Sequence, residues 1–216
     1  MEHIKNHPKV QALLERADTF LKNIGYTEHG RRHAELVSKI AYNILQRLDY
    51  PVRDQKLAEI AGYLHDIGNI INREHHAQSG AMIAYNLLTE LSFNYDDIID
   101  VTGAIGTHHE VGGYPVNYIS AALIIADKTD VHKSRVRNAN TTSFDVHDRV
   151  NWAVERSFLK VLPEQKLIVL ELQIDTKVSP VLEYFEIFLD RMLITKKAAE
   201  FLGCAFEMEI NGKKLV

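Results

Sequence analysis

The sequence predicts a mainly α-helical bundle followed by a small C-terminal α+β appendage of antiparallel strands and one helix. Two observations support this prediction. Up to about Asn140, apolar residues recur at steps of three and four, which is the period of a helix with one buried face. After that point, segment 166–175 alternates between apolar and polar residues, as a half-buried strand does. We therefore predict a helical domain at 1–143 and the appendage at 144–216.

The helices of the first part are located by their apolar stripes. One helix is predicted at about 10–21, and five more follow, with stripes at 37–48, 57–65, 81–88, 98–109 and 118–130. Pro51 stops the stripe at 37–48, and Gly68 is predicted to cap the helix of the next one. The pair Gly112-Gly113 closes the stripe at 98–109.

The C-terminal part is predicted to surround one helix with strands. The stretch AVERSFLKVL precedes the alternating segment and is joined to it through Pro163-Glu164, which predicts a hairpin. A helix at 181–202 and a last alternating stretch, FEMEI, follow. Half-buried strands have edges that must be covered, and SPVLEYFEIFLDRM is rich in large apolar residues. We therefore expect a homodimer through this region.

Length, charge and cysteine content narrow the class of protein. A chain of 216 residues can bury a full core. Its net charge of −4 gives no general attraction to nucleic acid or an acidic membrane, so neither is an expected partner. The single cysteine, Cys204, excludes an internal disulfide and is typical of a reducing compartment. Since no segment approaches the roughly 20 apolar residues of a membrane span, we expect a cytoplasmic protein.

Imidazole and carboxylate side chains recur where the predicted helices begin or end. A buried carboxylate is costly unless it is paired or binds a metal, and Asp127 interrupts the apolar run ALIIADK. The candidate ligands are His29, His33, His65, Asp66, His75, His76, His108, His109 and Asp127. Such a mixed nitrogen and oxygen set favours iron, manganese, zinc or cobalt over calcium or magnesium. The set is large enough for two divalent ions bridged by Asp66.

These motifs resemble the HD superfamily of metal-dependent phosphohydrolases over about residues 25–135. HDIG matches its central motif, and the order His, His-Asp, His, His-His, Asp follows the superfamily pattern. HHAQSG matches its histidine four residues before a glycine, which selects His76 rather than His75; the latter is then a surface residue. HHEVGGYP is similar to the HD-GYP subgroup of cyclic-dinucleotide phosphodiesterases. That subgroup has a lysine where this chain has Asn69, and its loop after HHE is longer.

The resemblance implies metal-binding roles for individual residues. Asp66 is expected to bridge the ions and to be central to catalysis, with His65, His76 and Asp127 as further ligands. Either His29 or His33 can be the first ligand. His33 gives the better spacing to His65, which leaves His29 as an extra ligand or a substrate contact.

The adjacent histidines after the fourth stripe leave two alternatives. His109 lies on the apolar stripe, so His108 would face solvent, and we expect at least one of them to be a ligand. The residues expected to bind substrate are Arg32, Asn69, Tyr114, Lys128 and Arg135. Lys128 is also a candidate for catalysis because it adjoins Asp127, and Lys and Arg bind phosphate through charge-assisted hydrogen bonds.

The function implied is hydrolysis of a nucleotide or another small phosphoester by a metal-activated water. Two divalent ions lower the pKa of a bound water and polarise the phosphoryl oxygens. Two alternatives use the same ligand pattern: an HD-type di-iron oxygenase, and a metal- or nucleotide-binding signalling module without catalysis. Oxygen consumption without phosphate release would favour the oxygenase, whereas nucleotide binding without turnover would favour the signalling module.

Overall fold

The computed structural model describes residues 1–137 and 144–215, and it confirms a helical bundle with a small C-terminal α+β unit. The helices are α1 (Glu2–Lys5), α2 (Pro8–Asn23), α3 (Arg31–Arg47), α4 (Val52–Leu64), α5 (His76–Glu90), α6 (Tyr95–Gly106), α7 (Tyr118–Lys128), α8 (Val146–Ala153) and α9 (Val181–Phe201). The strands are β1 (Val154–Leu162), β2 (Leu167–Ile174), β3 (Ala205–Ile210) and β4 (Lys213–Lys214).

Helix α7 lies at the centre of the bundle. Every residue from Ile119 to Lys128 is buried, because α3, α4, α6 and α9 all pack against it. Its start is fixed by a capping box in which the Asn117 side chain accepts the backbone N–H of Ser120, and the Ser120 hydroxyl accepts the backbone N–H of Asn117. This placement buries Asp127 and Lys128 at the end of α7.

Two helix ends differ from the predictions. Helix α6 ends at Gly106 and not near 109. The helical period therefore does not determine which way the side chains of the two following histidines point. Helix α4 ends at Leu64, with His65 as its C-terminal cap, so the prediction that Gly68 caps it is wrong. Gly68 instead lies in a short 3₁₀ turn at Ile67–Ile70, and α5 packs closely against this turn.

Gly68 allows this close approach because it has no Cβ. An added Cβ would overlap the carbonyl oxygen of His76 and the backbone nitrogen of Gly80, and backbone atoms cannot rotate away. We expect Gly68→Ala to lower the free energy of unfolding by about 3 kcal/mol, at the upper end of the usual cost of overpacking. Urea unfolding measures this directly.

Gly103 provides the matched control for that measurement. It lies inside α6, and an added Cβ there would meet nothing nearer than a side-chain methyl of Val116 at 3.9 Å. Gly103→Ala should leave stability unchanged or raise it by up to about 1 kcal/mol, because alanine is the better helix former. Equal unfolding free energies for the two variants would contradict the close contact at Gly68.

The C-terminal sheet has the order β1-β2-β3-β4. β1 and β2 form the expected antiparallel hairpin, and β3 pairs with β4 in the same manner. The β2–β3 pair is parallel, which differs from the predicted antiparallel arrangement. The reason is that α9 crosses over between these strands and returns the chain to the same end of the sheet.

The helical part and the C-terminal part share one hydrophobic core, which extends from Ile4 to Ile210. The predicted boundary at 143/144 falls at the edge of segment 138–143, which is outside the described residues, and it stays a prediction. Leu182, Leu189 and Leu193 are exposed on α9, and the homodimer through this region also stays a prediction. Within the described ranges, no helix combines the length and apolar character needed to cross a bilayer.

Candidate metal centre

Five helices bring buried imidazole and carboxylate groups to one point in the bundle. His33 lies in the first turn of α3, and Asp127 lies near the end of α7. His65 and Asp66 follow α4, while His76 begins α5. The sixth residue, His108, follows the end of α6 and is also buried.

Three of these residues form one potential metal site. The Nε2 atom of His33 lies 3.2 Å from Nε2 of His65 and 3.3 Å from Oδ1 of Asp127. The Nε2 atom of His65 lies 3.6 Å from the same carboxylate oxygen. One ligand atom from each residue therefore lies within 4.8 Å of the others, which is close enough for all three to bind one ion.

A second potential site shares His65 with the first and adds Asp66 and His108. Oδ2 of Asp66 lies 3.2 Å from Nε2 of His65, and its Oδ1 lies 3.5 Å from Nε2 of His76. The Nε2 atoms of His76 and His108 are 3.3 Å apart. Asp66 thus lies between the two groups of imidazoles, with one oxygen near each.

The histidines of the cluster share one tautomer. Each Nδ1 has an acceptor: Asp130 Oδ2 at 2.6 Å for His33, Gly62 O at 2.9 Å for His65, Arg73 O at 2.9 Å for His76, Ile105 O at 2.6 Å for His108 and Thr27 O at 2.7 Å for His29. A carbonyl oxygen can only accept, so the hydrogen of a neutral ring is on Nδ1 and the lone pair is on Nε2. The lone pairs of neighbouring rings therefore converge, as they do around a bound metal.

Burial and local charge set the protonation of these groups. Burial lowers the pKa of His76 to about 4 and that of His108 well below its usual value, so both rings are neutral. At His65, burial is outweighed by Asp66 and Asp127, which raise its pKa to about 10. The two carboxylates therefore make the space between them favourable for a cation.

The cluster fits a divalent transition metal. Oδ2 of Asp66 is buried and has no hydrogen-bond partner among residues 1–137 and 144–215. A buried carboxylate oxygen without a donor is unfavourable unless a cation balances it. Neutral imidazoles with carboxylates are the ligands that iron, manganese, zinc and cobalt prefer. The residues present can therefore hold such an ion.

Asp130 is a positioning residue that the sequence analysis missed. Its Oδ2 accepts the Nδ1–H of His33 and also lies 2.9 Å from Nη2 of Arg32. The nearby Arg135 holds the backbone of this turn by donating to the carbonyl of Asp130 at 2.8 Å. The signal in the sequence was the i,i+3 spacing of Asp130 from Asp127, which places both carboxylates beside the end of α7.

We expect Asp130→Asn to weaken metal binding about 10- to 100-fold, as substitution of outer-shell partners of ligating histidines does. Asparagine removes the charge that fixes the Nδ1–H tautomer and the orientation of His33. Isothermal titration calorimetry with Mn²⁺ measures the change in metal affinity. Glu183→Gln is the control, since the Glu183 carboxylate contacts Arg149 and Ser179 and is not hydrogen-bonded to a ligand. Unchanged Mn²⁺ affinity in a folded Asp130→Asn protein would show that Asp130 does not position His33.

The adjacent histidines are placed differently from the prediction. His108 is buried and faces the cluster, so the expectation that it faces solvent is wrong. The helix ends before it, and the turn rotates His108 inwards. His109 is about one quarter exposed, and its Nδ1 accepts the backbone N–H of Val111 at 3.3 Å. Its Nε2 therefore carries the hydrogen in the neutral ring.

The residues expected to bind substrate are mostly engaged elsewhere. Lys128 is buried between Asp127 Oδ2 at 2.6 Å and Glu110 Oε2 at 2.7 Å. The Asn69 amide donates to the backbone oxygen and to Oδ1 of Asp66, and so orients that carboxylate.

The two predicted arginines and the tyrosine lie outside the group of converging ligands. Arg32 is paired with Glu28 at 2.8 Å and with Asp130. Arg135 is buried and donates to backbone carbonyls, although it also lines a neighbouring cleft. Tyr114 is 58% exposed and lies in the loop after α6. His75 is exposed, as predicted.

A cleft of about 550 Å³ opens beside the cluster. His29 and His109 line it on the helical side, and α8 and α9 of the C-terminal part form the opposite side. His29 is buried, with its ring centroid 5.5 Å from that of His33. The C-terminal part, in which the sequence indicated no chemistry, therefore contributes to the surroundings of the metal centre.

Comparison with known proteins identifies the fold around this centre. Residues 30–134 match the HD domain family. Seven chains of solved structures also match. One is a predicted HD superfamily hydrolase from an uncultured Thermotogales bacterium, with 26% sequence identity and a TM-score of 0.46. That match covers 61% of this chain and 73% of the other. None of the curated proteins compared with the chain matches it. Residues 30–134, which match the HD domain family, hold the buried His/Asp cluster, so this part of the chain is an HD domain.

Proposed function

We propose that this protein is a metal-dependent phosphohydrolase that acts on a nucleotide or another small phosphoester. The observation that carries the proposal is the convergence of imidazole Nε2 atoms around Asp66, whose Oδ2 has no hydrogen-bond donor within the described residues. A phosphoester is favoured as substrate because three arginines, Arg73, Arg135 and Arg191, line the adjoining cleft. Its volume of about 550 Å³ is within the usual range for small-molecule sites, about 300–1,000 Å³.

In this proposal the ligands divide into two overlapping sets. His33, His65 and Asp127 would hold one divalent ion, and His76 and His108 would hold another, with Asp66 shared between them. When bound, such ions supply Lewis acidity and a water of lowered pKa for in-line attack on phosphorus.

The residues around the ligands hold them in place. Asn69 fixes the Asp66 carboxylate, and Lys128 fixes Asp127 through the 2.6 Å ion pair. Lys128 also connects the centre to Glu110, which lines the cleft. His109 would present its Nε2–H on the same side, as a hydrogen-bond donor to substrate. Preorganised donors of this kind stabilise developing charge at a reacting phosphoryl group.

Elemental analysis of the full-length protein, purified without chelators, tests the metal requirement. It is followed by a screen of phosphorylated compounds with Mn²⁺ or Fe²⁺ added, with phosphate release and oxygen consumption measured in parallel. We expect one to two transition-metal ions per chain and phosphate release that stops on chelation. Oxygen consumption without phosphate release, or no release from any mononucleotide, cyclic dinucleotide or simple phosphoester, would overturn the proposal.

A further inference from the structure

Two arginines on opposite sides of the cleft have the same unusual environment. Arg73 precedes α5, and its guanidinium carbon lies 5.2 Å from the ring centroid of Tyr26. Arg191 is on α9, and its guanidinium carbon lies 4.7 Å from the ring centroid of Phe188. All four residues line the cleft. Each arginine is mostly buried, with 17% of its side chain exposed.

Neither guanidinium donates a hydrogen bond to a carboxylate within the part of the chain that the structure describes, although each lies in ion-pair range of one. Nη1 of Arg73 lies 3.4 Å from Oδ1 of Asn69 and 3.9 Å from Oδ1 of Asp66. Arg191 forms a long ion pair with Glu110, whose Oε1 lies 3.6 Å from its Nε, beyond hydrogen-bond distance. Most of their N–H donors therefore have no protein acceptor among the described residues.

Stacking on an aromatic ring has a specific consequence for an arginine. The ring holds the plane of the guanidinium, and the N–H groups in that plane stay free for a ligand. A planar fork held in this way matches two phosphate oxygens and loses little conformational freedom on binding.

Three arginines and four carboxylates line the cleft, so its positive charge is local to the arginines. Arg135 also lines it and is buried. Burial lowers the pKa of this guanidinium, Asp130 opposes that effect, and the nearby Arg191 lowers the pKa further. The like charges of Arg135 and Arg191 repel each other, so an anion beside them would be stabilised.

We propose that Arg73 and Arg191 form a two-sided clamp for a phosphate group of the substrate, so that the C-terminal part completes the substrate site of the HD domain. This inference rests on the proposed function and narrows its substrate class. Asp145, Asp148 and Asn151 line the α8 side of the cleft and supply oxygen acceptors. Hydroxyl or amino donors fit these acceptors, so the substrate is a nucleotide or a sugar phosphate with its phosphate between the arginines.

Calorimetric titration of the full-length protein with inorganic phosphate tests the clamp without turnover. We expect Arg73→Gln and Arg191→Gln each to raise the phosphate Kd about tenfold or more, because each loses charge-assisted hydrogen bonds. Arg191→Lys keeps the charge beside Glu110 and loses only the planar fork, so it should lose part of the affinity. Lys197→Gln is the control: it removes one exposed positive charge from the same helix and should stay within about twofold of the unchanged protein.

The outcomes separate this inference from the proposed function. Phosphate binding within twofold of the unchanged protein in all three arginine variants, with phosphoester hydrolysis intact, would overturn the clamp alone. Weakened phosphate binding in the arginine variants of a protein that hydrolyses no phosphoester would support the clamp and overturn the proposed function alone. Metal content measured on the same samples should be equal in all variants, and its loss in Arg191→Gln would assign that residue to the metal centre and overturn the clamp.

Discussion

Replacing Asp66 by asparagine will lower phosphoester hydrolysis by at least about a thousandfold, since Lewis-acid stabilisation by a metal is worth several kcal/mol and each 1.4 kcal/mol is tenfold. Asp66 is buried between the two groups of imidazoles, with one oxygen 3.2 Å from His65 and the other 3.5 Å from His76. Asparagine keeps the size of the side chain and removes the charge that two cations would share. Metal content should fall by at least one ion per chain.

The control for this variant is Asp54→Asn, in the first turn of α4, the helix that Asp66 follows. Asp54 pairs with Arg53 near the protein surface, 3.2 Å away, and contributes nothing to the cluster. It should keep full metal content and full activity. If Asp66→Asn retained both its metal and its hydrolysis of nucleotides or simple phosphodiesters, the metal centre would not be the catalytic site.

The helical part of the fold could be predicted because its apolar stripes are regular. The helices α2, α3, α5 and α6 each bury one face with a period near 3.6, so the sequence alone located them. The apolar residues of α4 and α7 are denser, because more of each helix is buried. Helix ends are set by a few local hydrogen bonds, which periodicity does not report. The end of α6 at Gly106 has the largest consequence, because it determines that His108 rather than His109 faces the cluster.

The cluster could be predicted in part for a physical reason. A carboxylate inside an apolar run, such as Asp127, needs a partner, and the histidines at neighbouring helix ends are the available ones. Residues that are distant in the sequence but lie in one site gave no such signal. Arg73 and Arg191 are separated by more than half of the chain, and only the packing of α9 against α7 brings them to one cleft. The parallel β2–β3 pair also depends on this crossover helix.

His108 and His109 differ in a way that predicts opposite behaviour on substitution. The Nδ1 of His108 donates to the carbonyl of Ile105 at 2.6 Å, which leaves its Nε2 lone pair facing His76. The Nδ1 of His109 accepts from a backbone N–H, which leaves a hydrogen on its Nε2. A metal needs the lone pair, whereas a substrate oxygen needs the hydrogen. His108 is therefore suited to binding a metal, and His109 to contacting a substrate.

We expect His108→Gln to weaken Mn²⁺ binding more than about 100-fold, beyond the upper end of what outer-shell substitutions cost. His109→Gln should keep the metal content unchanged and lower turnover about 10- to 100-fold, the value of one hydrogen bond to a charged group. The two variants change adjacent residues in the same way, so each controls for the other. Metal content and turnover, measured on the same preparations, test this difference between the two histidines. Equal loss of metal in both variants would mean that His109 rotates to bind a metal when one is present, and the division of roles between the two histidines would be wrong.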